Sequence, residues 1–97
     1  MQIDVTGQHI DVTPALRDHV ANKFQKLKRH YDQVGIVHVV LKVEKLRQIA
    51  EATTQLEGNN FYAEAETEDM YGTIDALVSK LERQIQKHKG KTNDHRV

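Results

Sequence analysis

Basic side chains recur at helical spacing in two segments of the chain, and this spacing suits binding chemistry. In the later segment they lie three, four and four residues apart: Lys80, Arg83, Lys87 and Lys91, of which Lys91 belongs to the row only if the helix continues past Gly90. Residues at these intervals share one side of an α-helix. A row of cations on a rigid helix can follow the phosphates of a nucleic acid, because each neutralised phosphate releases counterions.

The earlier segment carries a second ridge, in which basic and histidine side chains are spaced four, three and four residues apart. Its members are His19, Lys23, Lys26 and His30, with Arg29 further towards solvent and Arg17 and Lys28 on the other flank. One basic flank on a helix is commonly nothing more than a solvated surface. Two such flanks in one short chain make nucleic acid an equally strong interpretation.

Charge is strongly segregated along the 97 residues, although 14 basic and 14 acidic side chains cancel overall. Residues 17–30 and 80–97 each carry a net charge of +4, whereas residues 31–79 carry −6 and residues 1–16 carry −2. Two basic segments therefore flank an acidic middle, and this asymmetry is a sign of an electropositive binding surface.

The sequence offers few residues for disulfides, metal sites or catalysis. The chain has no Cys, which excludes disulfides, thiolate nucleophiles and sulfur-ligated zinc. The six His form no metalloprotease pattern. The glutamates of the middle segment alternate along an expected open sheet face, where nothing would raise their pKa for catalysis. We therefore expect a protein that is not an enzyme and has no metal, cofactor or small-molecule substrate.

The elements that carry these residues follow from periodicity. Alternation predicts strands over residues 2–7, 36–46, 50–57 and 61–66, with turns near Gln48 and at 58–60. Thr13-Pro14 is a helix start, and an apolar stripe continues the first helix towards a stop at Gly35. Asp69 can cap a second helix that runs to Lys89 and ends at Gly90.

The order β-α-β-β-β-α predicts a two-layer α/β sandwich of the α+β type. A helix between the first two strands favours a right-handed crossover that makes them parallel, and both amphipathic helices would cover the one apolar face of a four-stranded sheet. The two basic ridges would then lie side by side across a groove. We expect one domain over residues 1–90 and a short flexible tail over 91–97. The chain lacks a membrane span and a secretory signal, which predicts a cytoplasmic protein.

Specific motifs add a resemblance to a known family. Thr13-Pro14-Ala15-Leu16-Arg17, the segment 39–45 (VVLKVEK), Asp69-Met70-Tyr71 with Ile74-Asp75, and the segment 80–89 (KLERQIQKHK) resemble the ribosome hibernation-promoting factor family, which includes protein Y. The resemblance covers about residues 1–91 and implies the same fold, which is similar to a double-stranded-RNA-binding domain.

The resemblance also implies a function. Family members bind the small ribosomal subunit in the channel shared by messenger RNA and the A- and P-site transfer RNAs, and they inhibit translation in stationary phase. Their basic helical surface contacts ribosomal RNA at the decoding region. The positions that we expect to do so here are Lys23, Lys26, Lys28, Arg29, Lys80, Arg83, Lys87, Lys89 and Lys91.

Chain length suggests a subtype, because the sequence stops soon after its second basic run. It resembles the short form, a monomer off the ribosome that promotes inactive ribosome dimers with ribosome modulation factor. One alternative is a protein Y-like inhibitor that stabilises single ribosomes and opposes dimers. Another is a free double-stranded-RNA-binding module, although such modules are basic where this chain has residues 69–73 (DMYGT). A third is a protein-interaction module that uses the acidic sheet face.

Overall fold

The computed structural model describes residues 1–31 and 34–94, with the side chains of 1–31 and 34–88. Its elements follow the predicted order β-α-β-β-β-α, which confirms the fold class. They are β1 (Gln2–Gln8), α1 (Pro14–His30), β2 (Ile36–Glu44), β3 (Arg47–Leu56), β4 (Asn59–Thr67) and α2 (Met70–Asp94).

The four strands form one sheet in the order β1-β2-β3-β4. β1 is parallel to β2, as the helical crossover predicts, and the other two pairs are antiparallel. One row of the register runs through Val5, Val39, Ala52 and Ala63, so small and β-branched side chains cross the inner face. The outer face carries the polar residues that alternate with them.

Both helices lie on the inner face, because one continuous core contains residues of α1 and α2 and of the strands β2, β3 and β4. Phe24 and Leu27 of α1 and Leu77 and Leu81 of α2 are all fully buried in it. Burial of a side chain of this size stabilises a fold by roughly 1.5–3 kcal/mol. The alanines of β3 and β4 leave room for α2 to pack closely against the sheet.

Side-chain caps begin both helices where the sequence predicts. Thr13 Oγ1 accepts a hydrogen bond from the Leu16 backbone N–H at 3.2 Å, with Pro14 in the first helical position. Asp69 Oδ2 accepts one from the Gly72 N–H at 2.9 Å. α1 ends at His30, earlier than the stop expected at Gly35, because Gly35 already joins the sheet by accepting the Gln2 N–H through its carbonyl.

The two hairpin turns are tighter than predicted. The first lies at residues 45–46, so Gln48 is already paired within β3 and the turn predicted there is wrong. The second lies at Glu57-Gly58, where φ is 54° and 80°. Positive φ at both positions defines a two-residue loop whose twist matches that of the flanking strands. The two asparagines that follow it therefore belong to β4.

The second helix does not end at Gly90, and this prediction is also wrong. α2 continues through Gly90 to Asp94, so residues 91–94 of the expected tail are helical. A glycine inside a helix costs about 1 kcal/mol relative to alanine, which is too little to stop a helix that propagates from a packed N-terminal half. Residues 95–97 lie outside the described part of the chain.

Within the described ranges, neither helix is long and apolar enough to cross a lipid bilayer.

Candidate nucleic-acid interface

The two helices run side by side in the same direction and meet along a polar seam. His19 Nε2 lies 2.8 Å from Asp75 Oδ1, and Lys23 Nζ lies 3.7 Å from the same oxygen. About three turns further along α1 and about two turns further along α2, His30 Nδ1 lies 2.9 Å from Glu82 Oε2. These five residues form the interhelical seam, in which Asp75 and Glu82 of α2 contact three members of the α1 ridge.

This seam overturns the predicted groove between two basic ridges. The flank of α2 that faces α1 is its acidic flank, with Asp75 and Glu82, so carboxylates separate the two sets of cations. The signal was present in the sequence: the acids recur on one flank of α2 just as His19 and His30 recur on one flank of α1. The spacing within α2 shows that its acids lie apart from its bases, but not that they face the other helix.

Lys80 lies on the opposite flank of α2, at the free edge of β4. Its Nζ donates to the Glu64 carbonyl oxygen at 3.0 Å, and Gln84 Nε2 donates to the Tyr62 carbonyl oxygen at 2.7 Å. The two side chains therefore occupy acceptors that an edge strand otherwise presents to solvent. The structure gives Lys80 a role in the fold beside its predicted role in binding, and sequence reasoning missed Gln84.

The remaining predicted cations point into solvent from the helical side of the molecule. Within the described part of the chain, their side chains are exposed and have no ion pair or side-chain hydrogen bond. They are Lys26, Lys28 and Arg29 of α1 and Arg83 and Lys87 of α2. The side chains of Lys89 and Lys91, also predicted to bind, lie outside the described residues.

The outer sheet face forms the opposite, acidic pole of the molecule. Its charges are partly paired: Lys42 Nζ lies 2.7 Å from Glu51 Oε2, and Arg47 lies 3.4 Å from Glu66. The hydrogen bond to Glu51 raises the pKa of Lys42 above its ordinary value. Glu64 adds a further exposed carboxylate on this face, so the surface repels phosphates while the helical side attracts them.

The structure also bears on two further points from the sequence: the charge at the start of α2 and the absence of a metal site among the described side chains. The start of α2 carries Glu68 and Asp69, with the Asp69 carboxylate used as a cap. This end of the helix lacks the lysines with which a double-stranded-RNA module holds phosphates. Among the described side chains, no group of three or more His, Asp or Glu is arranged to hold a metal ion.

Comparison with known proteins gives a consistent set of relatives. Two are named ribosome hibernation promoting factor. The one from Klebsiella oxytoca is 47% identical over 95 residues, which cover 98% of this chain and 100% of that protein. The one from Pseudomonas putida is 50% identical over 91 residues, which cover 94% of this chain and 89% of that protein.

Solved structures share the fold. A ribosomal subunit interface protein from Coxiella burnetii matches with a TM-score of 0.88 at 38% identity, over 93% of this chain and 99% of its own. The N-terminal domain of protein Y from Thermus thermophilus matches with a TM-score of 0.82 at 32% identity, over 91% and 99%. Residues 3–93 match the family described as Sigma 54 modulation protein / S30EA ribosomal protein. The chain therefore belongs to this family, that of the ribosome hibernation promoting factors.

Proposed function

We propose that this protein is a ribosome hibernation factor. It binds the small ribosomal subunit in the channel shared by messenger RNA and the A- and P-site transfer RNAs, and it thereby inhibits translation in stationary phase. It acts by occupying this channel, without a catalytic step or a cofactor, and it acts in the cytoplasm. The names of the relatives at 47–50% identity support the proposal, as does the name of the Coxiella burnetii structure.

The observation that carries the proposal is the sorting of charge on the helical side. Asp75 and Glu82 of α2 are paired across the interhelical seam, whereas Lys26, Arg83 and Lys87 face solvent without a described ionic partner. A rigid pair of helices that presents unpaired cations suits folded RNA, which proteins recognise largely through shape and backbone. Decoding-region RNA is such a target.

The first experiment is sedimentation of the purified protein with small ribosomal subunits through sucrose gradients over a series of salt concentrations. We expect co-migration that weakens steeply as salt rises, because counterion release dominates phosphate contacts. A protein that stays at the top of the gradient at low salt would contradict the proposal. Equal affinity for an isolated RNA duplex would instead favour the free double-stranded-RNA-binding module.

Two single charge reversals locate the interface. Arg83→Glu changes an exposed cation on the helical side, and Lys45→Glu makes the same change at the exposed tip of the first hairpin. We expect Arg83→Glu to weaken subunit binding about tenfold or more and to lower the salt slope by about one. Lys45→Glu should leave both nearly unchanged, and equal losses in the two variants would refute the assignment of the surface.

The subtype is tested by adding ribosome modulation factor to complete ribosomes. We propose that the protein, a monomer when free, promotes inactive ribosome dimers together with this factor. The expected result is a dimer peak in the gradient that grows only when both proteins are present. Suppression of that peak would assign the chain to the protein Y-like inhibitors, which oppose dimers.

A further inference from the structure

An open groove of about 690 Å³ crosses the outer face of the sheet, on the side away from both helices. It lies where β2 begins, β3 ends and β4 begins. Its floor and walls include Ile36 and His38 of β2, Thr53 and Gln55 of β3, and Asn60 and Tyr62 of β4. None of the helical cations lines it, so it is distinct from the surface proposed to contact RNA.

The groove exposes two large apolar side chains. Ile36 is 46% exposed and Tyr62 is 50% exposed, whereas the other β-strand residues of similar size are mostly buried in the core. Because β3 lies between β2 and β4, the two side chains stand on opposite sides of the groove, about 10 Å apart across the strands. An extended segment laid over β3 could contact both.

Carboxylates adjoin the aromatic side. Glu64 follows Tyr62 on the same face of β4, and Glu51 lies opposite Glu64 in the register. Glu51 is held by Lys42, but the Glu64 side chain has no ion pair or hydrogen bond within the described residues. Partial burial raises the pKa of Tyr62, and the charges of Glu51 and Glu64 raise it further, while the charge of Lys42 opposes them.

We infer that this groove is a docking site for an extended, arginine-rich segment of a protein partner. A guanidinium can stack on the exposed ring of Tyr62 while it donates to the Glu64 carboxylate, and a neighbouring aliphatic side chain can cover Ile36. Charge complementarity selects this occupant: the acidic face repels RNA phosphates. A second copy of this chain presents most of its unpaired cations from rigid helices, which do not fit along a strand.

The test uses a ten-residue peptide that alternates arginine with valine, and a matched peptide with glutamate in place of arginine. Binding to the intact protein is measured by fluorescence anisotropy of the labelled peptides and by titration of backbone amide resonances. Glu64→Gln, beside the groove, is compared with Glu66→Gln, which removes the same charge from the same strand but two residues further from the groove and beside Arg47. Tyr62→Ala is compared with Tyr62→Phe, which keeps the ring.

We expect the arginine peptide alone to bind, with shifts centred on Tyr62. Tyr62→Ala and Glu64→Gln should each weaken it about three- to tenfold, while Tyr62→Phe and Glu66→Gln should change it less than twofold. The inference would be overturned if the glutamate peptide bound as tightly as the arginine peptide. It would also be overturned if Tyr62→Ala, shown by urea titration to be natively folded, bound the arginine peptide as tightly as the parent. Amide shifts at the groove caused by an RNA duplex or by raised protein concentration would likewise overturn it and would assign the face to RNA or to a dimer. Sedimentation with ribosomes tests the proposed function and does not depend on these peptide measurements.

Discussion

The Asp75 carboxylate of α2 lies 2.8 Å from His19 Nε2 of α1, and the same oxygen lies 3.7 Å from Lys23 Nζ. This carboxylate is about half exposed, so its pairs stabilise the fold only slightly, by less than about 1 kcal/mol each. Its larger effect is electrostatic, because it places a negative charge between the exposed cations of the two helices. The seam therefore lowers the positive potential of the surface that we propose to bind RNA.

Removal of this charge should strengthen ribosome binding. Asp75→Asn keeps a side chain of the same shape that can still hydrogen-bond to His19, but it deletes one phosphate-repelling charge. We expect about two- to threefold tighter binding to the small subunit near 0.1 M salt, with a free energy of unfolding within about 1 kcal/mol of the parent. Asp4→Asn, which deletes a charge from the outer sheet face, is the control and should leave affinity unchanged. Weaker binding by Asp75→Asn would contradict the prediction.

Lys80 and Arg83 should behave differently when each is truncated. Lys80→Ala loses the hydrogen bond from Nζ to the Glu64 carbonyl and should lower the free energy of unfolding by up to about 1 kcal/mol. Arg83→Ala should leave stability unchanged within about 0.5 kcal/mol, because Arg83 has no ionic or hydrogen-bonding partner among the described side chains. Urea titration measures the free energy of unfolding of both variants. Equal losses would indicate that the hydrogen bond from Lys80 to β4 does not stabilise the fold.

Gly7 is required by a close approach of the chain. A Cβ there would overlap the Ile10 carbonyl oxygen and lie 2.9 Å from Val12 Cγ2. Gly7→Ala should therefore lower the free energy of unfolding by about 1–3 kcal/mol. Gly35→Ala is the matched control, because a Cβ at Gly35 meets nothing within 4 Å, and it should be neutral or slightly stabilising. The comparison needs only thermal unfolding curves of the two variants.

Gly90→Ala distinguishes a continuous α2 from a helix that stops at glycine. Because Gly90 lies inside α2, alanine should raise helix content by circular dichroism and stabilise the protein by up to about 1 kcal/mol. A glycine in a left-handed cap would give the opposite sign, since alanine is strained there. Loss of helicity on substitution would thus restore the helix end predicted from the sequence.

Tyr62 should titrate above its ordinary pKa of 10.0, because partial burial and the charges of Glu51 and Glu64 disfavour the phenolate. Glu64→Gln should lower this pKa but leave it raised, since burial is the larger cause. The folded state holds the proton more tightly than the unfolded state, so this group lowers the free energy of unfolding as pH rises past about 10. The difference in phenolate absorbance between the parent and Tyr62→Phe measures the pKa, and a value below 10 would contradict the prediction.

The order of elements and their faces could be predicted from the sequence by itself. Strict alternation in β2 and the stripe through Leu16, Val20 and Phe24 report burial directly, because a side chain's direction follows from its place in a strand or helix. The caps at Thr13 and Asp69 are equally local, since a side chain there bonds to a backbone group three residues away. The motifs that resemble the family were sufficient to indicate membership, which the comparisons confirm.

Contacts between elements were decided only by the tertiary structure. The periodicity of α2 shows that Asp75 and Lys80 lie on opposite flanks, but not which flank meets α1 and which meets β4. That choice depends on strand order and on how the helices dock, and it turned two expected neighbouring ridges into cations separated by a carboxylate seam. The groove at Tyr62 likewise needs three strands in register, because no single strand contains it. The local sequence pattern determines whether a side chain faces the core or the solvent. The packing of the elements determines which other residues it contacts.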